Sequence, residues 1–217
     1  MAAPIPKNEA DRIAALRRTG ILDTPPEPAF DDLTLLASQI CGTPMAMVSL
    51  VDADRQWFKS KVGIEAEGTP REQAFCAHAI MENDLFIVPD AAADQRFAEN
   101  PLVTGEHHFR FYASMPLLNP EGQALGTLCV VDRKPRNLTE DQKAALRALA
   151  RQAATQIELR RHVAETRLAS ASLALVQQQL SAQYAIVSVL AESATLQEAT
   201  PKLLRAICES LGWEFGA

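Results

Sequence analysis

FRFYASMPLLNPEGQALGTLCVVD, residues 109–132, is the stretch whose reading decides the fold. Through 109–118 the residues Phe109, Phe111, Ala113, Met115 and Leu117 alternate strictly and fall on one face of a strand. Arg110, Tyr112 and Ser114 fall on the other face. NPEG makes a turn, and QALGTLCVVD returns as a nearly continuous apolar run, the mark of a buried strand. The stretch predicts a hairpin.

A second hairpin lies upstream. MAMVSLV (45–51) is almost wholly apolar, DADR turns the chain, and QWFKSKVG (56–63) alternates like a half-exposed strand. LFIVPD (85–90) adds a short fifth strand; REQAFCAHAIMEND fits a short helix, and 91–108 reads as a long irregular stretch. Toward the N-terminus the pattern turns helical. Asn8 is placed to cap a helix to Arg18, with Ala10, Ile13 and Leu16 as its apolar stripe and Gly20 as its stop. After TPPEP, a second helix of about Phe30–Cys41 sets Leu33, Leu36, Ala37 and Ile40 on one face. Short connections between five strands, flanked by helices, predict an α+β sandwich: a mainly antiparallel sheet with the terminal helices on one face.

A long helix follows. Thr139 with Gln142 is a capping-box pattern, and no Gly or Pro occurs from there until Pro201. Leu146, Ala150, Ala153 and Ile157 form the stripe that packs on the sheet. Beyond His162 a thinner stripe runs through Ala164, Leu168, Ala171, Leu175, Ala182 and Val189. The eleven-residue step from Ile157 to Leu168 lets such a seam continue with little supercoil. Arg160 and Gln178 weaken it. A solvated linker helix is the plain reading; a helix this long with a thin stripe needs a partner to stay ordered, so a dimeric coiled coil is expected. Thr195 with Glu198 repeats the capping box, and Thr200–Pro201 marks a helix start. The face Leu203, Leu204, Ile207, Cys208 and Leu211 follows, with Gly212 as its stop and WEFGA beyond. The expected organisation is a domain over 1–160, a helical linker over 161–194 and the cut-short start of a second domain over 195–217.

Composition narrows the function. A net charge of −6 argues against a nucleic-acid module, which needs a basic face. MAAPIPKNEADR lacks a secretory signal, and no window approaches ~18 consecutive apolar residues, so a cytoplasmic location with no membrane contact in this segment is expected. Cys41, Cys76, Cys129 and Cys208 show no C-x-x-C pairing and read as reduced core thiols.

Taken together, NEADRIAALRRTGILDTPPEPAFDDLT, RQWFKSKVG, FCAHAI, VPDAAADQRFAENPLVTG, FRFYASMPL and GTLCVVD resemble a bacterial GAF domain over roughly residues 7–160. The subgroup is the one near the N-terminus of sensor histidine kinases and diguanylate cyclases. TLQEATPKLLRAICESLGWEFGA resembles the opening of a second GAF domain. The resemblance implies a sheet of five or six strands, terminal helices on one face at a homodimer interface, and a small-molecule pocket on the other. It makes this chain a sensory module, most naturally of a histidine kinase or alternatively of a diguanylate cyclase, with the catalytic output domain downstream. A ligand-free dimerisation spacer is the alternative within the family.

The pocket candidates are Trp57, Phe75, Cys76, His78, Arg96, Phe97, Arg110, Tyr112, Ser114 and Cys129. Cys76 and His78 stand two apart, and residues at that spacing on a helix do not face each other, which disfavours a thiol–imidazole nucleophile. A bilin site in this family carries Cys followed directly by His, whereas Ala77 intervenes here. One Cys-x-His pair is too little for zinc, and nothing names haem. Free-methionine-sulfoxide reductases are GAF enzymes with grouped cysteines, a grouping absent from this sequence, so no catalytic or metal-binding residue is assigned and the ligand stays unidentified. Arg96 is read as a loop clasp to Asp90 or Asp94, or as a carboxylate or phosphate fork.

Overall fold

The computed structural model describes residues 5–211, and the chain divides into two compact units, Met1–Arg161 and His162–Ala217. In the first, helices α1 (Glu9–Arg18) and α2 (Pro28–Cys41) precede strands β1 (Met45–Val51), β2 (Arg55–Val62) and β3 (Gly68–Pro70). A 3-10 turn (Arg71–Gln73), α3 (Phe75–Ala79), β4 (Phe86–Val88) and α4 (Pro101–Thr104) follow, then β5 (Phe111–Leu118), β6 (Ala124–Asp132) and α5 (Glu140–Glu192). The strands form one antiparallel sheet in the order β3-β2-β1-β6-β5-β4. Both expected hairpins are present, and pairing of β1 with β6 joins them at the centre. That seam is tight: a Cβ on Gly126 would lie 2.0 Å from the Ser49 carbonyl oxygen. The short edge strand β3 had no pattern of its own to announce it.

Alternation along the central strands builds two cores. Ala46, Val48 and Leu50 of β1 with Leu128 and Val130 of β6 meet Leu16, Phe30, Ala37, Leu146 and Ile157 of the helices. Met47 and Val51 with Cys129 and Val131 face α3, the long loop and α4. The α5 stripe Leu146, Ala150, Ala153 and Ile157 is buried as expected. Its capping box also forms: Thr139 Oγ1 accepts from the Gln142 N–H at 3.2 Å, and Gln142 Oε1 accepts from the Thr139 N–H at 3.0 Å.

Helices α1 and α2 depart from expectation. Asn8 makes no side-chain cap, and α1 buries Arg12, Ala15 and Leu16 while Ala10 is exposed. Arg12 is tolerated because every side of its guanidinium is used. It grips both Glu9 carboxylate oxygens (2.8 and 2.7 Å) and donates to the carbonyls of Val51 (2.7 Å) and Ala124 (3.3 Å). Helix α2 buries Phe30, Thr34, Ala37, Ser38 and Cys41, leaving Leu35, Leu36 and Ile40 over 40% exposed. Polarity hid that face in the sequence: the Thr34 hydroxyl satisfies itself on the Phe30 carbonyl (2.9 Å), and Ser38 does so on Thr43 (2.6 Å). Gly42 closes the helix at φ +63°, a conformation that costs glycine little.

Glu27 ties three elements together. Its carboxylate accepts from Lys59 of β2 at 2.7 Å and from Arg160 of α5. The Lys59 ammonium, its side chain fully buried, is completed by Thr24 (2.8 Å) and the Pro25 carbonyl (2.6 Å).

Within the second unit, α6 (Leu196–Leu211) is capped by Thr195 Oγ1, which accepts from the Glu198 N–H at 3.3 Å. Pro201 therefore lies inside this helix and does not begin it. Val189 of α5 shares a shallow cleft of about 360 Å³ with Pro201, Lys202, Arg205 and Ala206. Ala182, Ala185, Ile186 and Val189 are half-buried, and Ala199 is buried. The expected stop at Gly212 and the WEFGA segment lie outside the described residues. No helix among the described residues is long and apolar enough to cross a membrane.

Candidate functional site

The face of the sheet opposite the terminal helices is closed by the segment from β3 to α4. Between them lies a cavity of about 20 Å³, room for about one water. Its floor is Met47, Tyr112 and Val131 from the sheet with Cys76 from α3. Gln56 and Phe58 of β2 make one wall, and Ile64, Thr69, Phe75, Leu102 and Phe109 complete it. The lid is aromatic: Phe75 stacks on Phe97 at 4.0 Å and 9°, and Phe75 also meets Tyr112 at 5.1 Å. Asn100 holds the loop in place, capping α4 through the Leu102 N–H (2.9 Å) and donating to the Gln73 carbonyl (3.0 Å).

Beneath the lid is a buried cluster of hydroxyls and thiols. Tyr112 and Thr127 each donate to Cys76 Sγ at 3.1 Å, and Cys129 Sγ lies 4.0 Å from it. Burial opposes a thiolate at Cys76, but contacts from Cys129, Ser49, Thr127 and Tyr112 outweigh it and draw its pKa down. Burial pushes Cys129 and Tyr112 up, and proximity to the Cys76 sulfur pushes both the same way. Four buried oxygens on this face, Ser49 Oγ, Ser114 Oγ, Gln56 Oε1 and Thr69 Oγ1, meet no full hydrogen-bond geometry. Gln56 and Thr69 are cross-strand partners of β2 and β3, so two orphan oxygens converge on the cavity wall. Buried polar atoms short of a partner are rare, and these would be completed by a group that donates to Gln56 Oε1 and exchanges a hydrogen bond with the Thr69 hydroxyl.

The sequence profile of the GAF domain family matches residues 25–157. The chain belongs to the GAF domain family. A cyclic di-GMP phosphodiesterase of Pseudomonas aeruginosa is 42% identical over 149 residues, covering 68% of this chain and 25% of that protein, so the chain spans about a quarter of the relative's length. The GAF domain of an Acinetobacter phosphoenolpyruvate-protein phosphotransferase matches with a TM-score of 0.52 at 15% identity, covering 71% of this chain and 95% of that one. A domain of a two-component sensor histidine kinase protein from Sinorhizobium meliloti matches at 0.51 and 16% identity, covering 65% and 97%. At such identities the structural likeness is one of fold. This chain is a GAF regulatory domain of the bacterial signalling kind, followed by a long helix.

Measured against that GAF pocket, the candidates separate into groups. Phe75, Cys76 and Tyr112 line the cavity, while Phe97, Ser114 and Cys129 are buried behind them. His78 packs edge-on against Phe97 at 4.8 Å, on the outer side of the lid. Arg96 clasps Asp94 through two hydrogen bonds (2.9 and 2.6 Å) and lies over Phe86 and Phe97, fastening the loop. Arg110 does not line the cavity; it donates to the carbonyls of Val103 (3.0 Å) and Phe109 (2.9 Å). Trp57 packs on the helix-covered side, because alternation along β2 gives the pocket Gln56 and Phe58 instead. Phe109 also changes sides: it precedes β5, where His108 at φ +51° turns the chain, and it joins the pocket. Gln56 and Thr69 escaped the sequence reading, since nothing in QWFKSKVG marked which alternating face met the cavity.

Proposed function

We propose that this chain is the sensory part of a longer signalling protein, in which the pocket cover controls the helix leaving the domain. The observation that carries the reading is the pair of orphan oxygens, Gln56 Oε1 and Thr69 Oγ1, in an otherwise apolar wall. They suit a small, largely apolar molecule that donates a hydrogen bond to Gln56 Oε1 and either donates to or accepts from the Thr69 hydroxyl. Room must be made first: ligand pockets are typically ~300–1,000 Å³, so binding requires the Phe75–Phe97 lid to lift from the sheet. Only differential affinity for the lifted state then shifts the protein. Two copies joined through their helices relay the change to an output domain. The 42% identical relative supports a cyclic-di-GMP enzyme as that output, with a histidine kinase or diguanylate cyclase as the alternatives. A cytoplasmic location fits all three.

The size of the cavity favours a second reading, a ligand-free dimerisation spacer. Thermal melts against a panel of cyclic nucleotides and apolar amide or phenol metabolites separate the two. The sensor reading expects a hit whose stabilisation disappears in Gln56→Leu. A panel without any shift, or a shift untouched by Gln56→Leu, overturns this assignment of the pocket.

A further inference from the structure

Spacing along the chain separates Cys76 from Cys129 by 53 residues, yet the fold brings their sulfurs to 4.0 Å. Both thiols are free and buried. A disulfide bond is about 2.05 Å long, so the sulfurs need to close by about 2 Å. Cys129 is fixed, because β6 is paired along both edges. Cys76 sits on the five-residue helix α3, between a 3-10 turn and the three-residue strand β4, and this is the side that can give.

We propose that Cys76 and Cys129 are a reactive pair, oxidised by hydrogen peroxide to a disulfide that staples the pocket cover to the sheet. The Cys76 sulfur attacks one peroxide oxygen and the O–O bond breaks. The departing hydroxide takes the thiol's proton and leaves as water, and Cys76 becomes a sulfenic acid. The Cys129 sulfur then attacks the Cys76 sulfur, the S–O bond breaks, and hydroxide leaves with the Cys129 proton as a second water. The two thiols lose two electrons and the peroxide gains them. Phe75, next to Cys76, stacks on Phe97, so the lid is held down while the bond lasts. The bond stands apart from the sensory reading; only its effect on ligand entry rests on it.

Three features assign the roles. First, only Cys76 of the pair lines the cavity, so an incoming oxidant meets it first. The cavity has room for about one water, which suits hydrogen peroxide, the smallest hydroperoxide, and shuts out bulky disulfides. Second, the hydroxyls of Tyr112 and Thr127 both donate to Cys76 Sγ at 3.1 Å, an arrangement that favours the attacking thiolate and outweighs its burial. Third, Cys129 donates to the Met47 carbonyl at 3.6 Å and keeps its proton until the second step. Cys41, in the core under the helices, gives the contrast: burial pushes its thiol up to about 11.

The test treats the whole chain, carrying Cys208→Ser in the second unit, with hydrogen peroxide, followed by digestion without reductant and mass spectrometry. The expected product joins the Cys76 and Cys129 peptides with the loss of two hydrogens, melts at a higher temperature and is reversed by dithiothreitol. Cys129→Ser should stop the reaction at a Cys76 sulfenic acid, trapped by dimedone on unfolding, whereas Cys76→Ser should leave Cys129 reduced. Tyr112→Phe keeps the ring, removes the donor and should slow the linkage about fivefold. Two thiols that stay free in the folded chain, at doses that oxidise Cys208 in the unsubstituted protein, overturn the proposal. Linkage as fast with oxidised glutathione as with hydrogen peroxide overturns the choice of oxidant.

Discussion

Under α1, α2 and α5 the sheet presents Ala46, Val48, Leu50, Leu128 and Val130; one residue along the same strands, toward the lid, it presents Ser49, Thr127 and Cys129. Both faces are buried, yet they treat polarity differently. On the helix side the two buried cations are matched: Arg12 by a carboxylate and two carbonyls, Lys59 by Glu27, Thr24 and Pro25. On the lid side four oxygens are left short of a full partner. A satisfied face is built to stay shut, whereas an unsatisfied one gains by exchanging its cover for something that hydrogen-bonds.

The contrast breaks first at Leu146. Leu146→Ala removes a fully buried side chain from the helix-covered core and should cost about 2–5 kcal/mol in denaturant unfolding. A loss of only a few tenths would mean that α5 does not seal this face. The next effect is at Glu9. Glu9→Gln leaves the buried Arg12 without its carboxylate and should cost about 1.5–3 kcal/mol at neutral pH. Burial works against the Glu9 carboxylate, but hydrogen bonds from Arg12 and Arg71 outweigh it and bring its pKa from the ordinary 4.5 to about 2. The folded form binds this proton less readily than the unfolded chain, so the Glu9 contribution is complete above about pH 4.5 and is lost as pH falls toward 2. Acid titration of stability should therefore be flatter across that window in Glu9→Gln; an unchanged slope removes Glu9 from the matched set. The smallest effect has the opposite sign. Gln56→Leu replaces an orphan acceptor with an apolar side chain and should stabilise the unliganded protein by about 1 kcal/mol, read as a higher melting temperature. Destabilisation there would show that the amide already has its partner.

Periodicity made the fold legible because the strands are buried on both faces or strictly alternate, as in MAMVSLV and GTLCVVD. The α5 stripe and its cap were equally plain. Where apolarity and burial part company, the pattern misleads: Arg12, Thr34 and Ser38 go inside because their polar atoms are satisfied locally, while Leu36 and Ile40 stay out. Of the site, Phe75, Cys76 and Phe97 could be named as candidates from the FCAHAI and DQRFAEN segments and the family resemblance they carry. Gln56 and Thr69 could not, because their significance lies in a partner they lack across the β2–β3 pair, which spacing along one strand does not encode.

Strand β2 carries Phe58 toward the cavity and Lys59 toward Glu27, which in turn holds Arg160. Beside the packing of α5 on the sheet, pocket and helix thus share one charged link, the Glu27 carboxylate. One such link conveys on the order of 1–3 kcal/mol, a 5- to 150-fold bias, whereas driving a helix almost completely from one state to another takes about 5.5 kcal/mol. Under the sensory proposal, this route would make the domain a dimmer that grades its output instead of toggling it.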